Sequence, residues 1–146
     1  MAKTSALDTL IELATNETDA AARKLGNAIR ACDDTEKKLD MLLQYRDDYA
    51  ARFQSKLASG LTAAGYRNFQ LFMDKLDAAI DGQQQIVEEA KKRVGHQKNA
   101  WQASERKRVS YDTLATRAHQ AEERKENKRD QKQTDEFAAR QAQHKQ

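Results

Sequence analysis

Apolar or small side chains return at alternating steps of three and four along this chain, for about seven consecutive repeats. One row is Ile11, Thr18, Leu25, Cys32, Leu39, Arg46 and Phe53; the other is Leu7, Ala14, Ala21, Ala28, Thr35, Leu42 and Tyr49. A rhythm held this long keeps one stripe against a partner helix, so it argues for a coiled coil over a short amphipathic helix. A second seam follows with Phe69, Met73, Leu76, Ile80, Gln83, Val87, Ala90, Val94, Gln97 and Trp101, and is expected to loosen through Val109, Tyr111 and Leu114. The chain has no proline and only five glycines, so nothing forces long helices to stop. Its 34% charged and 6% aromatic content is too lean for one compact core.

The rhythm breaks at residues 59–65, SGLTAAG, where two glycines sit close together. That is a helix–helix connection by its chemistry. Ser5 and Asp8 fit the S-x-x-D box that caps a helix start. The expected fold is all-α: one domain over residues 1–146, with a helix at 5–58, a turn at 59–65, a longer helix at 66–138 and a tail at 139–146. A short turn makes the helices antiparallel neighbours, a coiled-coil hairpin. Folding about residue 62 pairs positions whose numbers sum to about 124. Arg46, a charge in the seam, then meets Asp77; Trp101 lies beside Ala20, Ala21 and Ala22; Ile11 meets Leu114. Beyond about residue 119 the second helix has no partner and is expected to be solvated. The alanine- and threonine-rich open end should be weaker than the turn end, because alanine buries less apolar surface than leucine.

No catalytic constellation, cofactor site or metal site is expected. His96, His119 and His144 lie far apart, and His119 with Glu122 and Glu123 is a combination common on charged helices. Cys32 sits at a seam position, where cysteine acts as a small buried hydrophobe. There is no phosphate-cradling glycine loop, and two paired helices offer little concavity for an enzyme. Residues 1–90 hold 11 Lys and Arg against 15 Asp and Glu, whereas residues 91–146 hold 15 against 8. The densest basic stretch is Lys91, Lys92, Arg93, Lys98, Arg106, Lys107 and Arg108. It reads either as phosphate contact, which would make a nucleic-acid-binding rod, or as a solvated face partly neutralised by acids on the first helix. The second reading is preferred, so no nucleic acid is expected; a generic self-associating coiled coil is the remaining alternative. The opening MAKTSALDTLIEL carries Asp8 and Glu12 and lacks a secretory pattern, no apolar run could span a bilayer, and the lone cysteine suits a reducing compartment. A cytoplasmic location is the expectation.

Tyr66, Phe69 and Phe72 form an aromatic cluster just after the turn. Phe72 falls beside the seam and makes an i,i+4 apolar pair with Leu76. Spacing alone leaves open whether Phe72 thickens the core or anchors a partner. Phe137, isolated in the charged sequence DEFAA, raises the same question.

Several stretches resemble the FliJ family of the flagellar type III export apparatus. They include Ala6 to Leu10, Leu13, Asp19, Arg23, Leu25 and Gly26; Cys32, Leu39, Met41, Leu42, Tyr45 and Tyr49; NFQLF at 68–72; and a tail with Glu126, Asn127, Asp130, Lys132 and Asp135 to Ala138. The resemblance runs nearly end to end, and the turn, the Tyr45/Tyr49 pair and the tail carry more weight than the seam. It implies a soluble coiled coil shaped like the central stalk of a rotary ATPase, peripheral at the cytoplasmic face of the inner membrane. Its implied partners are the hexameric export ATPase FliI, the export-gate protein FlhA and export chaperones. By the same resemblance Phe72 and Leu76 match the FlhA-contacting surface, while Leu7, Leu10, Leu13 and Phe137 would face the ATPase.

Overall fold

The structure, a computed structural model, describes the backbone of residues 2–145 and the side chains of residues 6–145. Two helices account for nearly all of it: α1, Ala2–Ser59, with 58 residues, and α2, Ala63–His144, with 82. They form the expected antiparallel hairpin, and no strand occurs among the described residues. Helix α1 already begins at Ala2, upstream of Ser5, whose side chain lies outside those described. At the far end α2 continues through residues 139–144, expected as tail, because ARQAQH contains good helix formers and no breaker.

The connection is tighter than the two glycines suggested, with only residues 60–62 outside the helices. Gly60 ends α1 in the left-handed region, φ +101°, where a side chain would crowd the backbone. Thr62 caps α2: its Oγ1 accepts from the Gly65 amide at 3.1 Å, and the Tyr66 amide closes the first turn on the Thr62 carbonyl at 2.9 Å. Gly65 belongs to the helix. A Cβ there would lie 3.0 Å from Leu61 Cδ1 and 3.2 Å from Thr62 Oγ1, so glycine lets the turn close.

Contacts divide the chain into two compact units, Ala20–Gln102 and a second made of Met1–Asp19 with Ala103–Gln146. In the first, the expected seam is the core. Ala28, Cys32, Phe69, Leu76, Ile80, Val87 and Ala90 are buried, every one at a seam position. Arg46 Nε donates to Asp77 Oδ1 at 2.6 Å, as the register required. Gln83, a polar seam residue, donates from Nε2 to the Thr35 carbonyl at 2.9 Å, so its burial leaves no amide stranded. With heptad letters, α1 has a at Ile11 to Phe53 and d at Leu7 to Tyr49. Helix α2 has a at Tyr66, Met73, Ile80 and onward, and d at Phe69, Leu76, Gln83 and onward.

The second unit has a smaller and more polar seam. Ala14 is only 2% exposed, and the buried Thr18 hydroxyl donates back to the Ala14 carbonyl at 2.9 Å. Here one expectation fails. Val109 and Leu114 lie outside the seam, Leu114 being 51% exposed, so it does not pair with Ile11. On α2 the half-buried row is Ser104, Arg108, Tyr111 and Ala115, which continues the three-and-four spacing without a slip; Glu105 and Asp112 are half-buried beside it. Spacing outweighs side-chain type: once a seam is in phase, a valine off the row stays in water. Beyond Ala115 every described residue is exposed, as the missing partner dictated.

Candidate partner-binding surfaces

Six rings gather where the helices leave the turn. Tyr49 and Phe53 come from the α1 seam and Tyr45 from its flank, and Tyr66, Phe69 and Phe72 from the first three turns of α2. Phe69 is buried between Tyr49 and Phe53, with ring centroids 4.3 and 4.7 Å away. Phe72 lies 4.4 Å from Tyr49 and meets Tyr45 edge-on at 6.1 Å. Phe53 and Tyr66 close the set at 5.6 Å. Tilted and edge-on pairs of this kind add about 0.5–1.5 kcal/mol each beyond area burial. Phe72 therefore thickens the core, yet it is only half-buried and keeps an edge in solvent beside the exposed Tyr45. Leu76, its expected companion on the flank, is buried in the seam. It sits one turn further along α2 and presents little surface itself.

In the other unit the residues picked out by resemblance are more open. Leu10 and Leu13 are exposed, the latter by 54%, Leu7 is half-buried, and Phe137 is 64% exposed on the solvated part of α2.

Arg108 is the residue that sequence reasoning missed in its structural role. It occupies an a position seven residues after Trp101, a signal the spacing carried but its charge obscured. Its guanidinium donates to Glu105 at 2.5 Å and to Asp112 at 2.9 Å. The bond from Arg108 holds the Glu105 carboxyl below the usual carboxylate range, against the opposing effect of burial. Glu105 in turn pushes the Arg108 pKa up, with Asp112 and Asp19 of α1 adding to it.

The rest of the basic stretch is partly neutralised, as the preferred reading had it. Lys91 lies 3.9 Å from Glu36 and Lys107 lies 3.6 Å from Glu17, both acids on α1. Such exposed pairs contribute at most about 1 kcal/mol each. Cys32 is buried, and desolvation followed by the charge of Glu36 raises its thiol pKa, the reverse of what a nucleophile needs. His119 pairs with Glu123 at 3.2 Å, and among the described residues no three metal-ligating side chains converge. No helix of the described residues is long and apolar enough to cross a membrane.

Fold and surfaces together define a two-helix coiled-coil protein whose accessible chemistry is a set of aromatic, aliphatic and charged patches along its helices. The model of the family described as "Flagellar FliJ protein" matches residues 3–146. Two curated relatives carry that same name: one from Escherichia coli strain K12, 35% identical over 142 residues, and one from Salmonella typhi, 33% identical over 142 residues. Each alignment covers 97% of this chain and 97% of the relative. The chain belongs to the FliJ family, and with membership comes its coarse role as a component of flagellum biogenesis and protein export.

Proposed function

We propose that the chain is a non-catalytic, stalk-like adapter that engages the export ATPase FliI and couples it to the export-gate protein FlhA, while also handling export chaperones. The observation that carries this reading is the placement of two accessible apolar sets in two different compact units: Phe72 beside Tyr45 in one, and Leu10, Leu13 and Phe137 in the other. A single-partner scaffold needs only one. Phe72, with Leu76 one turn further along α2, would meet FlhA, and Leu7, Leu10, Leu13 and Phe137 would meet the ATPase. A helical pair entering a ring of like subunits contacts them unequally, and can therefore bias which subunits bind or release nucleotide. Such work is done in the cytoplasm, peripheral to the inner membrane.

Two measurements test it. FliI turnover and oligomerisation are followed with and without the chain; unchanged values reject the stalk role. Capture of FlhA and FliI is then compared between wild type and Phe72→Ala, with helicity checked by circular dichroism. Loss of FlhA alone supports separate contact regions. Phe72→Ala is the cleaner variant, because Leu76→Ala opens a cavity in the seam.

A further inference from the structure

In an antiparallel hairpin the g positions of both helices share one side and the e positions share the other. The contacts fix which is which. Tyr45 and Phe72, both at g, meet on one side; Glu36 and Lys91, both at e, meet on the opposite side. Within the Ala20–Gln102 unit, the FlhA contact proposed above lies on the g side.

The e side of the Ala20–Gln102 unit carries its own pattern. Leu43, Ala50 and Leu57 recur every seven residues along α1; both leucines are exposed and Ala50 is half-buried. The row spans roughly 21 Å, about four helical turns. Beside its Leu43 end, at the b positions of α1, stand Asp40 and Asp47, and across the groove, at the b positions of α2, Asp74 and Asp81; Asp33 and Glu88 extend the two columns away from the turn, while Arg67 takes the α2 b position nearer Leu57. All six carboxylates are exposed, and none makes an ion pair among the described residues. Of the nearby cations, Arg46 is engaged with Asp77 and Lys91 with Glu36, while Lys37, Lys75 and Arg67 make no ion pair among the described residues. An apolar stripe whose Leu43 end lies between acids on both helices complements an amphipathic helix with a leucine-type stripe and with Lys and Arg flanking that end.

We propose that this e side is a docking surface for a basic amphipathic helix of a partner protein, laid along Leu43, Ala50 and Leu57. It is a different surface from Phe72 and does not depend on the FlhA assignment. The columns repel an anionic membrane or nucleic acid, and a second copy would bring the same acids to the same place.

The probe is a 21-residue peptide, about six turns long, with Leu at heptad spacing flanked by Lys, beside a scrambled peptide of equal composition. Anisotropy should show binding of the patterned peptide only, weakened about tenfold or more by Leu43→Lys/Leu57→Lys. Asp40→Asn/Asp81→Asn should flatten its salt dependence, and Tyr45→Lys should leave it unchanged. In a strain lacking its own copy, Leu43→Lys/Leu57→Lys should fail to restore swimming while keeping wild-type helicity by circular dichroism; Leu71→Lys, at an exposed leucine off the row, should restore it. Equal binding of the scrambled peptide, an indifferent leucine variant, or full swimming by that variant overturns the proposal. So does sedimentation showing a dimer that the leucine variant abolishes.

Discussion

The two compact units follow one heptad rhythm but fill it differently. In Ala20–Gln102 the seam near the turn is built from interleaved rings, with Leu76, Ile80 and Val87 behind them. In the unit formed by Met1–Asp19 and Ala103–Gln146, the most buried positions are Ala14 and Thr18, and the facing a position is a charged arginine. Periodicity decides where a side chain points; volume decides how tightly the helices hold. The ring-filled seam is a stability anchor, whereas the alanine, threonine and arginine seam is held across the helices by small contacts and by the exposed Lys107–Glu17 pair, which water can replace.

The sharpest way to break that contrast is to empty the stronger seam. Phe69→Ala should cost about 3 kcal/mol, read by urea denaturation, whereas Tyr111→Ala in the other unit should cost about 1 kcal/mol; equal costs would erase the distinction. Ala14→Leu probes the same difference from the other side. At a position 2% exposed, the larger side chain should destabilise by roughly 1–2 kcal/mol. Its faster hydrogen exchange should stay within residues 7–19 and 104–115. Gly60→Ala forces a methyl into the left-handed region and should lower stability by about 1 kcal/mol without altering either seam.

The smallest effect concerns acid. Because Arg108 depresses the Glu105 pKa in the folded chain, the associated stability is complete above the unfolded pKa and fades as pH falls through the folded value. Below the ordinary carboxylate range, amide exchange around residues 103–112 should therefore accelerate before that of residues 66–90. Glu105→Gln should remove this acid dependence, and an unchanged profile would disconnect the pair from the unit's closure.

Much of this was legible in the sequence, since a coiled coil writes its core as spacing. Every buried residue of the described chain occupies a row the heptads marked, and Arg46 finds the predicted Asp77. The misreadings share one cause. Val109 and Leu114 looked like seam residues by hydrophobicity, and Arg108 looked like surface by charge, yet phase alone decides which faces α1. At the turn, the glycine pair suggested a longer loop, because glycine usually weakens a helix; Gly65 instead lies in the first turn of α2, capped by Thr62 and leaving room for Leu61. The surfaces were only half visible. Phe72 stood out as off-row, and Leu76 was already marked as seam, but the rings that Phe72 meets on α1 and the stripe on the opposite side with acids at its Leu43 end needed both helices in place.

An unbroken heptad in both arms also restricts how such a chain can change length. Each residue turns the helix by about 100°, so deleting a single amino acid from α1 swings everything beyond it away from α2. Losing seven residues from one arm restores its own phase but slides its later side chains past their partners. Only excisions made in sevens, matched across the hairpin, leave each surviving contact with its mate. The molecule can be shortened or lengthened in quanta, and hardly at all between them.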